Sequence, residues 1–407
     1  MSVLLKRTYK VLIAFCAVCL LHACSVYEQG DAGTGRTVIV YMAADNNLAS
    51  FARRNLDDMA RGGVPYYCDR GEGDVLLVYT DISGERPRLM RLSKDRFGVV
   101  NTETLVEYED HNSCSDSVMR SVLAYASSLF PADEYGLVLW SHGTGWVPPG
   151  YYSEPVDADG NPLQQWGVEA DPYASYVKSF GTDGGYEMDI RNLAAALPEH
   201  YTYILIDACL MGGIEVAYEL KDCCDYLIVS AAEVLANGFP YQSITGLLFG
   251  QRNSLEDICR LYYEHYQNDG ATVAMIDTRR LNDLAASCLD IFLASRAAIP
   301  ALDMDSVQGY FRLNRHWFYD LDDFISRIAP RDTADGQSRS VYDVFRSNME
   351  QAVVCKWSTE DFVLGGYPQF SIKKFSGLST YIPNPENPVL DEYYKTLAWN
   401  KAVMMVE

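Results

Sequence analysis

The chain has 407 residues, 55 Asp and Glu against 33 Lys and Arg, a formal charge of -22 and an apolar share of 48%. That apolar share argues against a disordered chain, and the length supports one large or two moderate domains whose core needs neither disulfide nor metal. The acidity argues against nucleic acid as a partner, because phosphate contacts need clustered Lys and Arg.

Residues 1–23 read as a secretory signal: Lys6, Arg7 and Lys10, then the apolar run Val11 to Leu21, with no acid. The run is shorter than the roughly 20 residues of a spanning helix. It ends Leu21-His22-Ala23-Cys24-Ser25, which resembles a bacterial lipobox, so the resemblance implies cleavage before Cys24 and acylation of its thiol. A lipid anchor in the bacterial cell envelope follows as the expected location, with the outer membrane as the expected membrane. Residues 24–36 are small and polar and read as a tether. No later stretch is expected to cross a bilayer.

Cys16 and Cys19 leave with the signal, so their spacing is neither a redox motif nor half a zinc site. Eight cysteines remain after Cys24. Most lie in apolar patterns as buried thiols; Cys68 and Cys114, in polar loops, are the first disulfide pair to test.

From residue 37 strands and helices alternate. Thr37 to Ala43 is an apolar β run, bounded by the turn cluster Asp45-Asn46-Asn47. Residues 48–60 have helical spacing. Val75 to Tyr79 is a strand, Arg88 to Leu92 its hairpin partner, and Ser115 to Phe130 a helix stopped by Pro131. Strands follow at Tyr135–Trp140, Tyr203–Ile206, Tyr226–Val229 and Ala271–Ile276, with helices near 189–197, 212–222 and 254–267. Continuous apolar strands between helices predict an α/β fold with a mostly parallel sheet sandwiched by helices. Such sheets bind ligands beyond the carboxyl ends of their strands. After about 280 the pattern turns helical (Leu281 to Ala298, Val341 to Val354) before a late strand-like segment, Leu378 to Pro383. The expected organisation is a core over 37–280 and a C-terminal helical or mixed subdomain over 281–407, packed on it.

The residues that carry chemistry stand at two strand ends. There is no metalloprotease, P-loop or G-x-S-x-G motif, and Gly143-Thr144-Gly145 is followed by Pro148-Pro149, which blocks an immediate helix. Leu137-Val-Leu-Trp-Ser-His142-Gly143 and Ile204-Leu-Ile-Asp207-Ala208-Cys209 each stop on one reactive side chain. Taken alone, the first reads as a turn and the second as packing. On neighbouring parallel strands they would bring imidazole and thiol to one sheet edge, where the imidazole can activate the thiol as a nucleophile. The N–H groups of Gly143 and of Cys209, expected at a helix start, would form an oxyanion hole.

These segments resemble the clostripain family of cysteine peptidases, relatives of caspases, legumains and gingipains. The likeness extends to Tyr41-Met-Ala-Ala-Asp45-Asn46-Asn47-Leu48 and Ser376-Gly-Leu-Ser-Thr-Tyr-Ile-Pro383, and so over most of 37–400. It implies a caspase-like fold, Cys209 as nucleophile, His142 as general acid/base and no required third member. It further implies a pocket for Arg or Lys before the scissile bond, lined by Asp207; that residue reads equally as a buried acid capping the next turn. Family members often place a second acid after the following strand, where this chain offers only Glu233 within 230–241.

The function expected is therefore a lipid-anchored cysteine endopeptidase cutting protein or peptide substrates after basic residues, monomeric and without a cofactor. Some family members use calcium, but no EF-hand spacing is present. Relatives cut themselves between the catalytic His and Cys; Lys178 is the single base in the acidic 144–187 segment and the one candidate there. The alternative is a caspase-like lipoprotein that only binds protein or glycan, with the dyad inert.

Overall fold

The computed structural model describes residues 33–69, 72–151, 180–310, 317–330, 340–384 and 388–407. The signal, Cys24 and Lys178 lie outside them.

In chain order the strands are β1 (Gly33–Ala44), β2 (Val75–Ile82), β3 (Arg88–Lys94), β4 (Val100–Glu107), β5 (Ala132–Trp140), β6 (Phe180–Asp183), β7 (Tyr186–Met188), β8 (Tyr201–Asp207), β9 (Cys224–Val229), β10 (Thr272–Asp277), β11 (Tyr319–Asp320), β12 (Val353–Ser358), β13 (Asp361–Leu364), β14 (Tyr367–Ser371) and β15 (Ser379–Thr380). Nine of them form one sheet, ordered β12-β10-β9-β8-β5-β1-β2-β3-β4. The central run from β9 to β2 is parallel throughout. Antiparallel strands close both flanks, β10 and β12 on one side and β3 and β4 on the other.

The two-residue period of a strand explains why the central strands read as unbroken apolar runs. Along β1, Ile39, Tyr41 and Ala43 enter one core while Val38, Val40, Met42 and Ala44 enter the other. Helices Ala49–Arg61 and Arg252–His265 cover the second core. The first lies under helices Asp116–Leu129, Ile190–Ala196, Ile214–Glu219, Leu281–Ser295, Val341–Ala352 and Ala398–Val403. Asp189 caps Ile190–Ala196, its side chain accepting from the Arg191 N–H.

Several expectations change. The residues after 281 are woven into the core rather than laid on it: β12 is an edge strand of the central sheet, and Trp399 and Val403 share one core with β1 and β8. Helix Val341–Ala352 stops where the β-branched pair Val353-Val354 begins β12. The helical run Thr278–Ala301 is long and apolar enough to cross a bilayer by length and composition, yet Leu284, Cys288, Ile291 and Phe292 are packed in the core. No disulfide joins Cys68 to Cys114. Cys114 is buried in the first core, and the Cys68 thiol meets the Asp74 carbonyl and the Arg91 guanidinium.

Candidate active site

β5 and β8 run side by side, and their last matched pair is Trp140 with Asp207. His142 and Cys209 each stand two residues beyond that pair, so imidazole and thiol leave the sheet at one edge. The two chain exits remain tied: the Ser141 N–H donates to the Asp207 carbonyl at 3.3 Å, and the Ser141 hydroxyl to the Ala43 carbonyl on β1 at 2.6 Å.

Gly143 is where the two exits touch. A Cβ there would lie 2.7 Å from the Cys209 carbonyl oxygen and 3.0 Å from the Ala208 methyl, so only glycine allows the approach. Gly143 also bridges to Phe180, and the Gly181 N–H donates to the His142 carbonyl at 3.0 Å. The β6–β7 hairpin thus buttresses the histidine segment.

Cys209 does not begin a helix, as the sequence suggested. Helix Ile214–Glu219 starts five residues later, with Gly213 as its cap. The intervening turn places Leu210 at φ 61, a left-handed conformation uncommon outside glycine. It is fixed on both sides: the Leu210 N–H donates to the Ala232 carbonyl and the Gly212 N–H to the Ser230 carbonyl. Strain held this way beside a reactive group is characteristic of functional sites. The half-buried Cys209 thiol meets one residue of the loop after β9: the Val234 N–H points at Sγ at 3.3 Å, and the Val234 carbonyl lies 3.5 Å from it.

His142 is buried, and burial pushes its pKa down to about 4, so the ring is neutral at pH 7. Its Nε2 lies 2.7 Å from Asn47 Oδ1, on the loop after β1. Sequence reasoning assigned Asn47 only to a turn; its signal was an amide-rich cluster leaving the same sheet edge.

Asp207 is buried beneath the cysteine turn, with 3% of its surface exposed. Oδ2 accepts from the Phe239 N–H at 3.0 Å and the Tyr241 hydroxyl at 2.7 Å. Burial outweighs these two donors and raises its pKa to about 6. Gly238, at φ 69, lets the loop close over it, since a Cβ there would sit 2.5 Å from Oδ2. Glu233 is half-buried next to Val234, and so beside the residue that touches the thiol. Asp207 thus stands two residues before Cys209 on the chain, and Glu233 one residue before Val234.

Among the described residues no three His, Cys, Asp or Glu side chains gather to hold a metal ion.

Comparison with known proteins places the chain in a family. The clostripain family model matches residues 40–157 and 165–404. Clostripain of Hathewaya histolytica is 25% identical over 230 residues, 51% of this chain; the match spans 41% of clostripain's own length. An inactive zymogen C11 protease from Parabacteroides distasonis is 33% identical, with a TM-score of 0.75 over 92% of this chain and 99% of its own. A secreted C11 cysteine protease from Bacteroides thetaiotaomicron, solved with an irreversible peptide inhibitor, is 30% identical, with a TM-score of 0.74 over 91% and 98%. Strand ends, cysteine turn and C-terminal strand all fall inside the matched residues, and by that match the chain belongs to the clostripain family.

Proposed function

We propose that this protein is a cysteine endopeptidase that cuts peptide bonds after Arg or Lys, with Cys209 as nucleophile and His142 as general acid/base. The observation that carries the reading is the placement of His142 and Cys209, each two residues past the paired Trp140 and Asp207. The Cys209 proton passes to the imidazole as sulfur attacks the scissile carbonyl carbon. The N–H groups of Gly143 and Cys209 receive the developing oxyanion, a contact worth about 2.7–4 kcal/mol per donor. The imidazolium returns its proton to the leaving amine, and water, activated by the neutral ring, then hydrolyses the thioester and restores the thiol. Asp207 and Glu233 would bind the basic side chain before the scissile bond. The inhibitor-bound relative supports peptides as the substrate class.

The same proposal includes acylation at Cys24, a monomer anchored in the bacterial envelope, and self-cleavage after Lys178. The deciding experiment compares wild type with Cys209→Ala and His142→Ala on peptides carrying Arg, Lys, Gln or Leu before the cut. Loss of cleavage in the first variant and a fall of about 10²–10⁴-fold in the second support the dyad. Full activity in Cys209→Ala sinks it. Labelling with a tagged fatty acid should mark wild type and not Cys24→Ser, and an active enzyme that stays one chain would exclude the Lys178 cut.

A further inference from the structure

We propose that Asn47 is the positioning residue of this dyad, holding His142 in the tautomer and orientation that let it take the Cys209 proton. The proposal rests on the Cys209–His142 reading and adds a third member to it.

The geometry begins with three neighbouring strands. β1 lies between β2 and β5, and Met42 pairs with Trp140 at the carboxyl edge. The loop Asp45-Asn46-Asn47 therefore leaves the sheet beside the exit that carries His142. Asn46 fixes that loop. Its Oδ1 accepts from the Leu48 N–H at 2.8 Å, and its Nδ2 donates to the carbonyls of Ala43 at 3.2 Å and Thr182 at 2.8 Å. With Asn46 so occupied, the next side chain turns to the histidine, and Asn47 Oδ1 stands 2.7 Å from His142 Nε2.

A neutral imidazole has one N–H and one lone pair, and whichever partner takes the N–H decides which nitrogen is the base. An amide oxygen only accepts. Placed at Nε2 it holds the proton there and leaves Nδ1 as the basic nitrogen. A carboxylate at this place would also orient the ring, but its charge would favour the imidazolium and withdraw the base near neutral pH. The amide orients without charging. Burial is the cause of the low His142 pKa, which agrees with a neutral partner at this distance.

The test uses two substitutions and three readouts. Asn47→Ala should lower kcat by about 10–100-fold with little change in KM, the cost of a misplaced base. Asn47→Asp restores an acceptor with a charge; it should regain activity at high pH and move the acidic limb of kcat/KM upward. Nitrogen chemical shifts of His142, recorded in a Cys209→Ala background, should show the Nε2–H tautomer, and Asn47→Ala should lose that preference. A kcat within about threefold of wild type for Asn47→Ala overturns the proposal. So does an unmoved acidic limb in Asn47→Asp, or a dominant Nδ1–H tautomer. Cys209→Ala is assayed in parallel: if it still cleaves, the dyad reading fails, whereas an inactive Cys209→Ala beside a fully active Asn47→Ala rejects Asn47 alone.

Discussion

Gly143 and the carbonyl oxygen of Cys209 stand so close that a single added carbon would sit 2.7 Å from that oxygen. The contact joins the two strand exits directly, without a side chain between them, so the spacing of the His142 and Cys209 segments is set by backbone. Gly143→Ala should therefore push the exits apart. The expected result is a fall of about 100-fold in kcat/KM, typical of a misplacement near 1 Å, with unchanged far-UV circular dichroism. Wild-type kinetics would show that the exits have slack.

His142 predicts an acid-sensitive fold. Its folded pKa, about 4, lies below the ordinary value of 6.5, so between these values the unfolded chain binds more protons. Stability from this group is complete above pH 6.5 and declines as pH falls towards 4, by about 3 kcal/mol in all. Urea unfolding of wild type and His142→Gln at pH 7 and pH 4.5 should show a smaller acid loss in the variant. Equal losses would place the imidazole in water.

Asp207 has the opposite sign. Its folded pKa, about 6, exceeds the ordinary 3.8, so its contribution is present at low pH and lost as pH rises through 6. At pH 7 Asp207→Asn should leave the urea midpoint equal or higher, since an amide oxygen can keep the Phe239 and Tyr241 hydrogen bonds. The same variant should lose most of the preference for Arg over Leu peptides, because the ionised carboxylate would be the partner of the guanidinium. It should also lose a rise in kcat/KM for Arg peptides near pH 6, while a small alkylating agent still modifies Cys209. Equal cleavage of Arg and Leu peptides by wild type would mean the pocket is not acidic.

Glu215 holds the C-terminal segment to the cysteine turn. Its Oε1 accepts from the Thr380 hydroxyl at 2.9 Å, the Tyr381 N–H at 2.8 Å and the Tyr394 hydroxyl at 2.7 Å. Glu215→Ala strands the buried Tyr381 N–H and Tyr394 hydroxyl, while the Thr380 hydroxyl keeps the Tyr381 carbonyl at 3.2 Å, and should cost about 2 kcal/mol or more, read from the urea midpoint. A change below 1 kcal/mol would mean that water replaces the carboxylate.

The strands that lead to His142 and Cys209 were legible because both faces of the central sheet are buried, which leaves an unbroken apolar run stopping just short of each. β4 was not: it is an edge strand, and Asn101-Thr102-Glu103-Thr104 face water, so nothing apolar alternates. β12 was hidden because Val353 and Val354 continue an amphipathic helix without punctuation, and only pairing with β10 separates strand from helix. The 180–188 hairpin offered Gly184-Gly185 and little else. Asn47 read as a turn residue, since its role depends on a contact with a residue 95 positions away. Short-range pattern reports burial; it does not report which distant group an amide will meet.

β15 has a consequence for how the protein comes into being. Its Ser379 N–H donates to the Gly212 carbonyl at 2.9 Å, three residues after Cys209, so the turn bearing Cys209 is braced by chain made about 170 residues later. A ribosome finishes His142, Cys209 and most of the sheet long before it supplies that brace. A nascent or prematurely terminated chain would carry His142 and Cys209 without that hydrogen bond from Ser379. Order of synthesis thus leaves the Cys209 turn without this brace until the chain is nearly complete.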